Sequence, residues 1–542
     1  MIRNLLPDKF NSRTDDIICQ IIDWKSCDII VKDPEEDEEE EDEEDNKKYK
    51  KKNRSLIIRG YGVTENGNSV CIHIEGFNPY FFFKIPQEWG NKEFDEFKNN
   101  VLYMINENQR DGLLKAGIVQ KKEFYGFTNN ELFNYGIFVL KNQSAYYTFL
   151  KVMKEQKINI KKWNKEFDFS NKLYETKVSS LLRFFHVQDI DPSGWIKINA
   201  GKYKRNIPSL SRTQLDISVK YNDIIKVERN DVAPILVASF DIECCSEDGS
   251  FPKFDRKNDP IIQIGTTVYA FGDNECKYQY IATLNKCDPI EGAVVESFYT
   301  EKDLLLGWAK FMERLDPDVI TGYNIWGFDW EYIYKRAESG NGGLIAPYHE
   351  VLFRRLQRLK PEYLSSQKIE LTIQDLSSSA LGVNILKYID IEGIVQIDLL
   401  KVVQRDHKLD SYKLDNVAKH FMKQQKVDLS PKELFKNFKE GTSDKIKEIA
   451  VYCIMDCKLV NDLINRLQVI TNNLGMSNVC VVPFSYLFLR GQGIKIYSAV
   501  AYNASKRDQI IMAQESVDGD MSYEGAVVLP PKIGMYLEDP IP

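Results

Sequence analysis

Three short stretches of this 542-residue sequence hold acidic side chains at spacings that could let them act together. In the first, the apolar run from Ile235 to Phe240 leads into Asp241-Ile242-Glu243. Residues two apart on a strand face the same side, so Asp241 and Glu243 present their carboxylates together. With 80 acids in 542 residues, about a dozen pairs at this separation arise by chance. Position distinguishes this pair: two carboxylates ending a buried strand are costly unless paired or bound to a cation. A solvated strand end is the plain alternative. In the second, Asp318 to Tyr323 reads as a strand leading to Asn324-Ile325-Trp326-Gly327-Phe328-Asp329, with helical sequence through Tyr332 and Ile333. Asn324 suits an N-cap. Asp329 then falls in or near the first turns, where the helix dipole favours an anion. The alternative is that Asp329 only stabilises the helix start; Trp326, Phe328 and Trp330 read as core. In the third, Asp444 to Ile470 carries a helical apolar stripe at Ile446, Ile449, Ala450, Cys453, Cys457, Val460, Ile464 and Leu467. Tyr452 and Asp456 share a face beside it, so a phenol and a carboxylate can point at one spot. Any single pair at that spacing is also common without chemical use.

The ten cysteines are scattered without C-x-x-C pairs, and the five histidines show no ligand spacing. Reduced, packed thiols are expected, and any metal is expected on carboxylates. Carboxylates without histidine or thiolate suit hard cations, Mg²⁺ first and Mn²⁺ as a second candidate. Two such ions about 3.5 to 4 Å apart can clamp a scissile phosphate, one activating water and one stabilising the leaving oxygen.

The elements that must position these acids begin near Asp231, where apolar runs followed by amphipathic helices suggest an α/β unit. Upstream, Ile57 to Tyr61, Val70 to Ile74 and Tyr80 to Phe83 read as strands of a β-rich domain, and residues 90 to 230 as scaffold. Eleven consecutive acids at 35 to 45, followed by a lysine-rich block, have no apolar face to bury and read as a disordered insertion at about 33–54. They also account for the formal charge of -8, because the remainder carries 72 basic against 69 acidic side chains. Local basic surfaces therefore remain open. No apolar run reaches the length of a membrane span and the first residues do not form a signal peptide, so the expectation is an intracellular protein.

In order and spacing, Phe240-Asp241-Ile242-Glu243, Tyr323-Asn324-Ile325-Trp326-Gly327-Phe328-Asp329 and Tyr452-Cys453-Ile454-Met455-Asp456 resemble the three motifs of the proofreading exonuclease of family B DNA polymerases. Asp259-Pro260-Ile261-Ile262-Gln263-Ile264, Asp398-Leu399-Leu400, Ser411-Tyr412-Lys413-Leu414 and Gly76-Phe77-Asn78-Pro79-Tyr80-Phe81 are similar to the delta-type branch and its large-DNA-virus relatives. The resemblance implies an α/β, ribonuclease H-like exonuclease domain at 231–470, preceded by a β-rich N-terminal domain at 1–230 and followed by a connector at 471–542 toward a polymerase palm. It also implies trimming of mispaired 3′ DNA ends, with Asp241, Glu243, Asp329 and Asp456 holding two Mg²⁺, Asp241 bridging them, and Tyr452 orienting water. Asn324 and Phe328 lie near the terminal nucleotides in this reading. Met521-Ser522-Tyr523-Glu524-Gly525-Ala526 resembles the element that contacts template, which assigns Tyr523, Gly525 and Ala526 to DNA binding. The family's palm motifs do not occur, so synthesis is expected to need palm, fingers and thumb outside this sequence, from a truncated or split polymerase. The site of action implied is the nucleus or a viral replication site. Two other readings stay open: a non-catalytic template-binding scaffold of a split polymerase, and a free-standing exonuclease.

Overall fold

The computed structural model describes residues 3, 13–30, 54–161, 164–273, 275–364, 368–378, 382–423, 429–513, 530 and 534. Three sheets organise them. The first has seven strands, with Arg54–Thr64 at its middle and Ile17–Ile30 beside it, between Arg54–Thr64 and Trp195–Ile198. Ile17–Ile30 and Arg54–Thr64 pair antiparallel up to Ile30 opposite Arg54. Arg54 is thus already in the sheet, which trims the expected insertion by one residue; the acidic run itself lies outside the described residues. The strand Ile17–Ile30 escapes a pattern reading because its apolar residues are interrupted by Asp23, Lys25 and Asp28.

A second sheet, ordered Gln509–Ile510, Leu113–Glu123, Phe133–Leu140, Tyr80–Lys84, Leu173–Tyr174, carries the helices Asn91–Met104 and Gln143–Glu155. Its core is separate and aromatic, built on Phe81, Phe83, Phe97, Phe138 and Phe149. The described residues before 230 therefore divide mainly between two sheets, and the seven-stranded one shares a continuous core with the elements beyond residue 230. Ion pairs reinforce that junction: Arg3 meets Asp318 at 2.7 Å, and Arg59 meets Glu392 at 2.6 Å.

The third sheet is mixed and six-stranded, in the order Val294–Phe298, Tyr278–Leu284, Ile261–Ala270, Leu236–Cys244, Val319–Gly322, Val395–Asp398. Leu236–Cys244 runs antiparallel to Ile261–Ala270 and parallel to Val319–Gly322. Helices cover both faces. Trp308 of Glu301–Leu315 donates to Thr266 Oγ1 at 3.1 Å, while Cys453 and Cys457 of Ser443–Arg466 approach Gly265, whose side of the strand is opposite to that of Thr266. The long helix ends at Arg466, not at 470 as expected, because Gln468 turns left-handed at φ 53° before a new helix, Val469–Cys480. Among the described residues no helix is long and apolar enough to cross a membrane.

Candidate active site

Asp241 and Glu243 sit half-buried near the end of Leu236–Cys244, with fully packed Ile242 pointing the other way. Asp241 lies directly opposite Gly265 and Glu243 opposite Gln263. Gly265 is what lets the long helix come down over the acids. A β-carbon there would stand 2.8 Å from Cys453 Sγ, 3.1 Å from Cys457 Sγ and 3.3 Å from the Cys453 carbonyl oxygen. Tyr452 and Asp456 ride on that helix, Asp456 buried and Tyr452 half-buried.

Asp329 opens the helix Asp329–Glu338 and is buried. The Ile242 backbone N–H donates to its Oδ1 at 3.3 Å, so Asp329 is tied to the strand between the two strand acids. The expected N-cap at Asn324 is not what forms. Phe328 occupies the cap position without a side-chain hydrogen bond, and Asn324 adopts a left-handed φ of 67° four residues earlier. Two features force that turn. Gly322 packs so tightly that a β-carbon would be 2.6 Å from the Phe240 carbonyl oxygen. Buried Asp398, at the end of the neighbouring strand, accepts from the N–H groups of Asn324 at 2.9 Å, Trp326 at 3.1 Å and Leu400 at 3.0 Å. In the sequence Asp398 stands out by resemblance alone; the signal for its role is an acid ending an apolar strand, the same signal that marks Asp241.

Electrostatics show how closely the acids crowd. Burial raises the Asp241 carboxyl well above the usual range, and the charges of Asp329, Glu243, Cys457 and Asp456 raise it further, in that order. Burial pushes Asp329 up to about 7, opposed by the Ile242 N–H. Burial, then the charges of Asp456, Glu243 and Asp241, hold the Tyr452 phenol protonated. All four acids and the tyrosine thus feel one another through Asp241. Such a set is expensive to ionise alone, and a divalent cation would relieve it. A thiol also enters: the ligand atoms of Asp241, Glu243 and Cys453 lie within 4.8 Å of one another. A hydrogen bond with Cys457 and burial keep the Cys453 thiol protonated, a poor partner for a hard cation. The donor set therefore fits Mg²⁺ or Mn²⁺ on oxygen.

At the mouth, Phe328 meets exposed Phe251 edge-on at 5.4 Å and Tyr332 at 5.2 Å. Phe251 belongs to no motif, and nothing in the sequence marks it. Trp326 and Trp330 are core, as their sequence context suggests, whereas Phe328 is only partly buried. Tyr523, Gly525 and Ala526 lie outside the described residues.

Residues 171–417 match the family described as DNA polymerase family B, exonuclease domain. The chain is 30% identical to a DNA polymerase of Acanthamoeba polyphaga mimivirus, over 98% of this chain and 41% of that protein. It is 29% identical to a DNA polymerase of Pyramimonas orientalis virus, over 96% and 56%. With the DNA polymerase delta catalytic subunit of Arabidopsis thaliana it shares 32% identity, over 90% and 43%. The chain spans about half the length of these relatives. A family B DNA polymerase from the archaeon Pyrobaculum calidifontis has a similar fold, with a TM-score of 0.60 over 95% of this chain and 54% of that one at 17% identity.

Proposed function

We propose, for a chain that corresponds to the N-terminal and exonuclease portion of a family B DNA polymerase, that it removes nucleotides from unpaired 3′ DNA ends by hydrolysis. The observation that carries this reading is the convergence of a strand end, a helix start and a later helix on one acidic cage around Asp241. Asp241, Glu243, Asp329 and Asp456 would hold two divalent cations, Mg²⁺ or Mn²⁺. When bound, such ions supply an activated water and charge stabilisation at the scissile phosphate.

The residues themselves do the rest. Asp329 is held to the strand through its Oδ1 by the Ile242 N–H, and its second oxygen would bind a cation. Tyr452 keeps its proton and can donate a hydrogen bond to fix the orientation of a water molecule. The Asp398 staple fixes the Asn324 turn and with it Phe328, whose ring meets that of Phe251 at 5.4 Å; the two rings would offer stacking surfaces for frayed bases. Aromatic stacking of that kind is tolerant of sequence, as removal of any mispaired nucleotide requires. DNA synthesis would come from palm, fingers and thumb segments not in this sequence, and primer-template DNA would be the shared substrate.

The test is trimming of a 5′-labelled single strand in Mg²⁺ or Mn²⁺. Asp241→Ala combined with Glu243→Ala should abolish it while the melting transition of the chain persists. A folded double variant that trims at the parent rate would refute the assignment.

A further inference from the structure

A second convergence of metal-binding side chains lies in the seven-stranded sheet, away from the acidic cage. Cys71 and His73 are two apart on Ser69–Glu75 and so share a face. Asp216 of Leu215–Lys220 pairs in parallel directly beside Cys71, and Tyr61 and Arg59 of Arg54–Thr64 stand opposite Cys71 and His73 on the other side. All three candidate ligands are almost wholly buried, and their Sγ, imidazole nitrogen and carboxylate oxygen fall within 4.8 Å of one another. His73 Nε2 is 3.4 Å from Cys71 Sγ and 3.1 Å from Asp216 Oδ1. A tetrahedral zinc ion with ordinary bond lengths would hold nitrogen and sulfur about 3.5 Å apart and nitrogen and oxygen about 3.3 Å apart.

We propose that Cys71, His73 and Asp216 form a binding site for a borderline-soft divalent cation of the zinc type, distinct from the exonuclease cage. Three observations support it. One ring nitrogen lies within contact distance of both a thiol and a carboxylate, and a cation at their common centre would bind all three. The Asp216 carboxylate is oriented from behind by Asn206 Nδ2 at 2.6 Å, the Ser211 N–H at 2.5 Å and Ser209 Oγ at 3.2 Å, as ligand carboxylates usually are. A cavity of about 390 Å³, lined by Asn206, Ser209, Thr213 and Gln214, ends on Asp216 and gives an entry path and room for a water as fourth ligand.

The local charge count points the same way. Glu392 accepts from Arg59 at 2.6 Å and from the Tyr61 hydroxyl at 2.9 Å, so the Arg59 charge is matched by Glu392, and the ion pair of Asp216 is with His73. Without a metal, burial and then the Asp216 charge hold the Cys71 thiol protonated; a dication would displace that proton to solvent, and cation, thiolate and Asp216 carboxylate together are neutral. Its rival is a proton on His73, which would balance the count with no metal. Cysteine and aspartate bring zinc rather than Mg²⁺, because a thiolate is a soft ligand.

The experiment uses the full chain with Asp241→Ala and Glu243→Ala, which disables the acidic cage, and Cys453→Ser, which removes the thiol beside it. After dialysis against zinc, one zinc per chain should be retained, and cobalt in its place should give a sulfur-to-cobalt charge-transfer band. Adding Cys71→Ser should remove both. Absence of zinc and of the band, or a band that survives Cys71→Ser, overturns the proposal. Where Cys71→Ser fails to fold, Asp216→Asn takes its place: loss of the retained zinc is expected, and one zinc per chain still retained overturns the proposal. Because the cage is already disabled, the outcome is independent of whether the chain is a nuclease.

Discussion

Gly265→Ala should impair trimming without touching an acid. The added carbon would lie 2.8 Å from Cys453 Sγ, about 0.6 Å inside an ordinary contact between such atoms. Rotation of that one thiol does not solve the problem, because Cys457 Sγ at 3.1 Å and the Cys453 carbonyl oxygen at 3.3 Å crowd the same carbon. Cys453 and Cys457 are fully buried, so neither has space to swing into. The helix must rise by about half an ångström, taking Tyr452 and Asp456 away from Asp241. A misplacement of about 1 Å can cost on the order of a hundredfold in rate, so roughly tenfold is expected here. Overpacking should also lower stability by about 1 to 3 kcal/mol. The assay is single-turnover trimming of a labelled single strand, run beside a thermal melt. Cys453→Ala added to Gly265→Ala removes the nearest sulfur and should return part of both losses. A folded Gly265→Ala chain that trims at the parent rate would mean that the helix position does not set the geometry of the site, and the reasoning fails.

Proton and cation should compete at the cage. Asp329 is raised from 3.8 to about 7 in the folded chain, so the folded state keeps a proton that the unfolded state has lost between those values. The cation-free chain should therefore lose stability as pH rises through that window and level off above about 7. The melting shift caused by Mn²⁺ should be larger at about pH 8 than at about pH 6; a shift equal at both speaks against shared occupancy. Asp398→Ala removes the acceptor of three N–H groups, that of Trp326 buried and those of Asn324 and Leu400 partly so, and should cost about 2 to 4 kcal/mol in urea denaturation, with slower trimming. An unchanged midpoint would show that the Asn324 turn holds without its staple. Phe251→Ala, at a residue 72% exposed, should weaken single-strand binding by about 1 to 3 kcal/mol and leave the melt alone. Unaltered affinity in a fluorescence titration would remove Phe251 from the binding surface.

Legibility in the sequence divides along a physical line. Asp241 with Glu243, and Tyr452 with Asp456, are visible because the strand period of two and the helix period of 3.6 put partners at fixed short spacings. Asp329 is visible because a strand, a turn and a helix come in order. The misplaced N-cap at Asn324 shows the limit of that local logic. Its turn is set by Asp398, 74 residues away in sequence, and by contact of Gly322 with Phe240 across the sheet. Gly265 is equally silent, since its importance exists only once Ile261–Ala270 pairs with Leu236–Cys244 and the helix settles on both.

The same distinction explains why Cys71 and His73 give no metal signal in the sequence. A search for ligand spacing along one chain finds C-x-x-C or paired histidines, whereas the third ligand here arrives through parallel pairing with Leu215–Lys220. A sheet assembles ligands by register, and register depends on which strands become neighbours. Here the neighbours are Ser69–Glu75 and Leu215–Lys220, with the junction residue Glu392 reaching Arg59 and Tyr61 from the exonuclease side. A cation bound there would tie two strands far apart in sequence beside the loop of Glu392, which leads into Val395–Asp398 and so to the Asp398 staple. Zinc removal should then loosen the exonuclease half as well as the seven-stranded sheet. Hydrogen exchange at the Asn324 and Trp326 amides measures this directly: faster exchange on zinc removal is the expected result, and exchange unaffected by zinc would confine the site's influence to its own sheet.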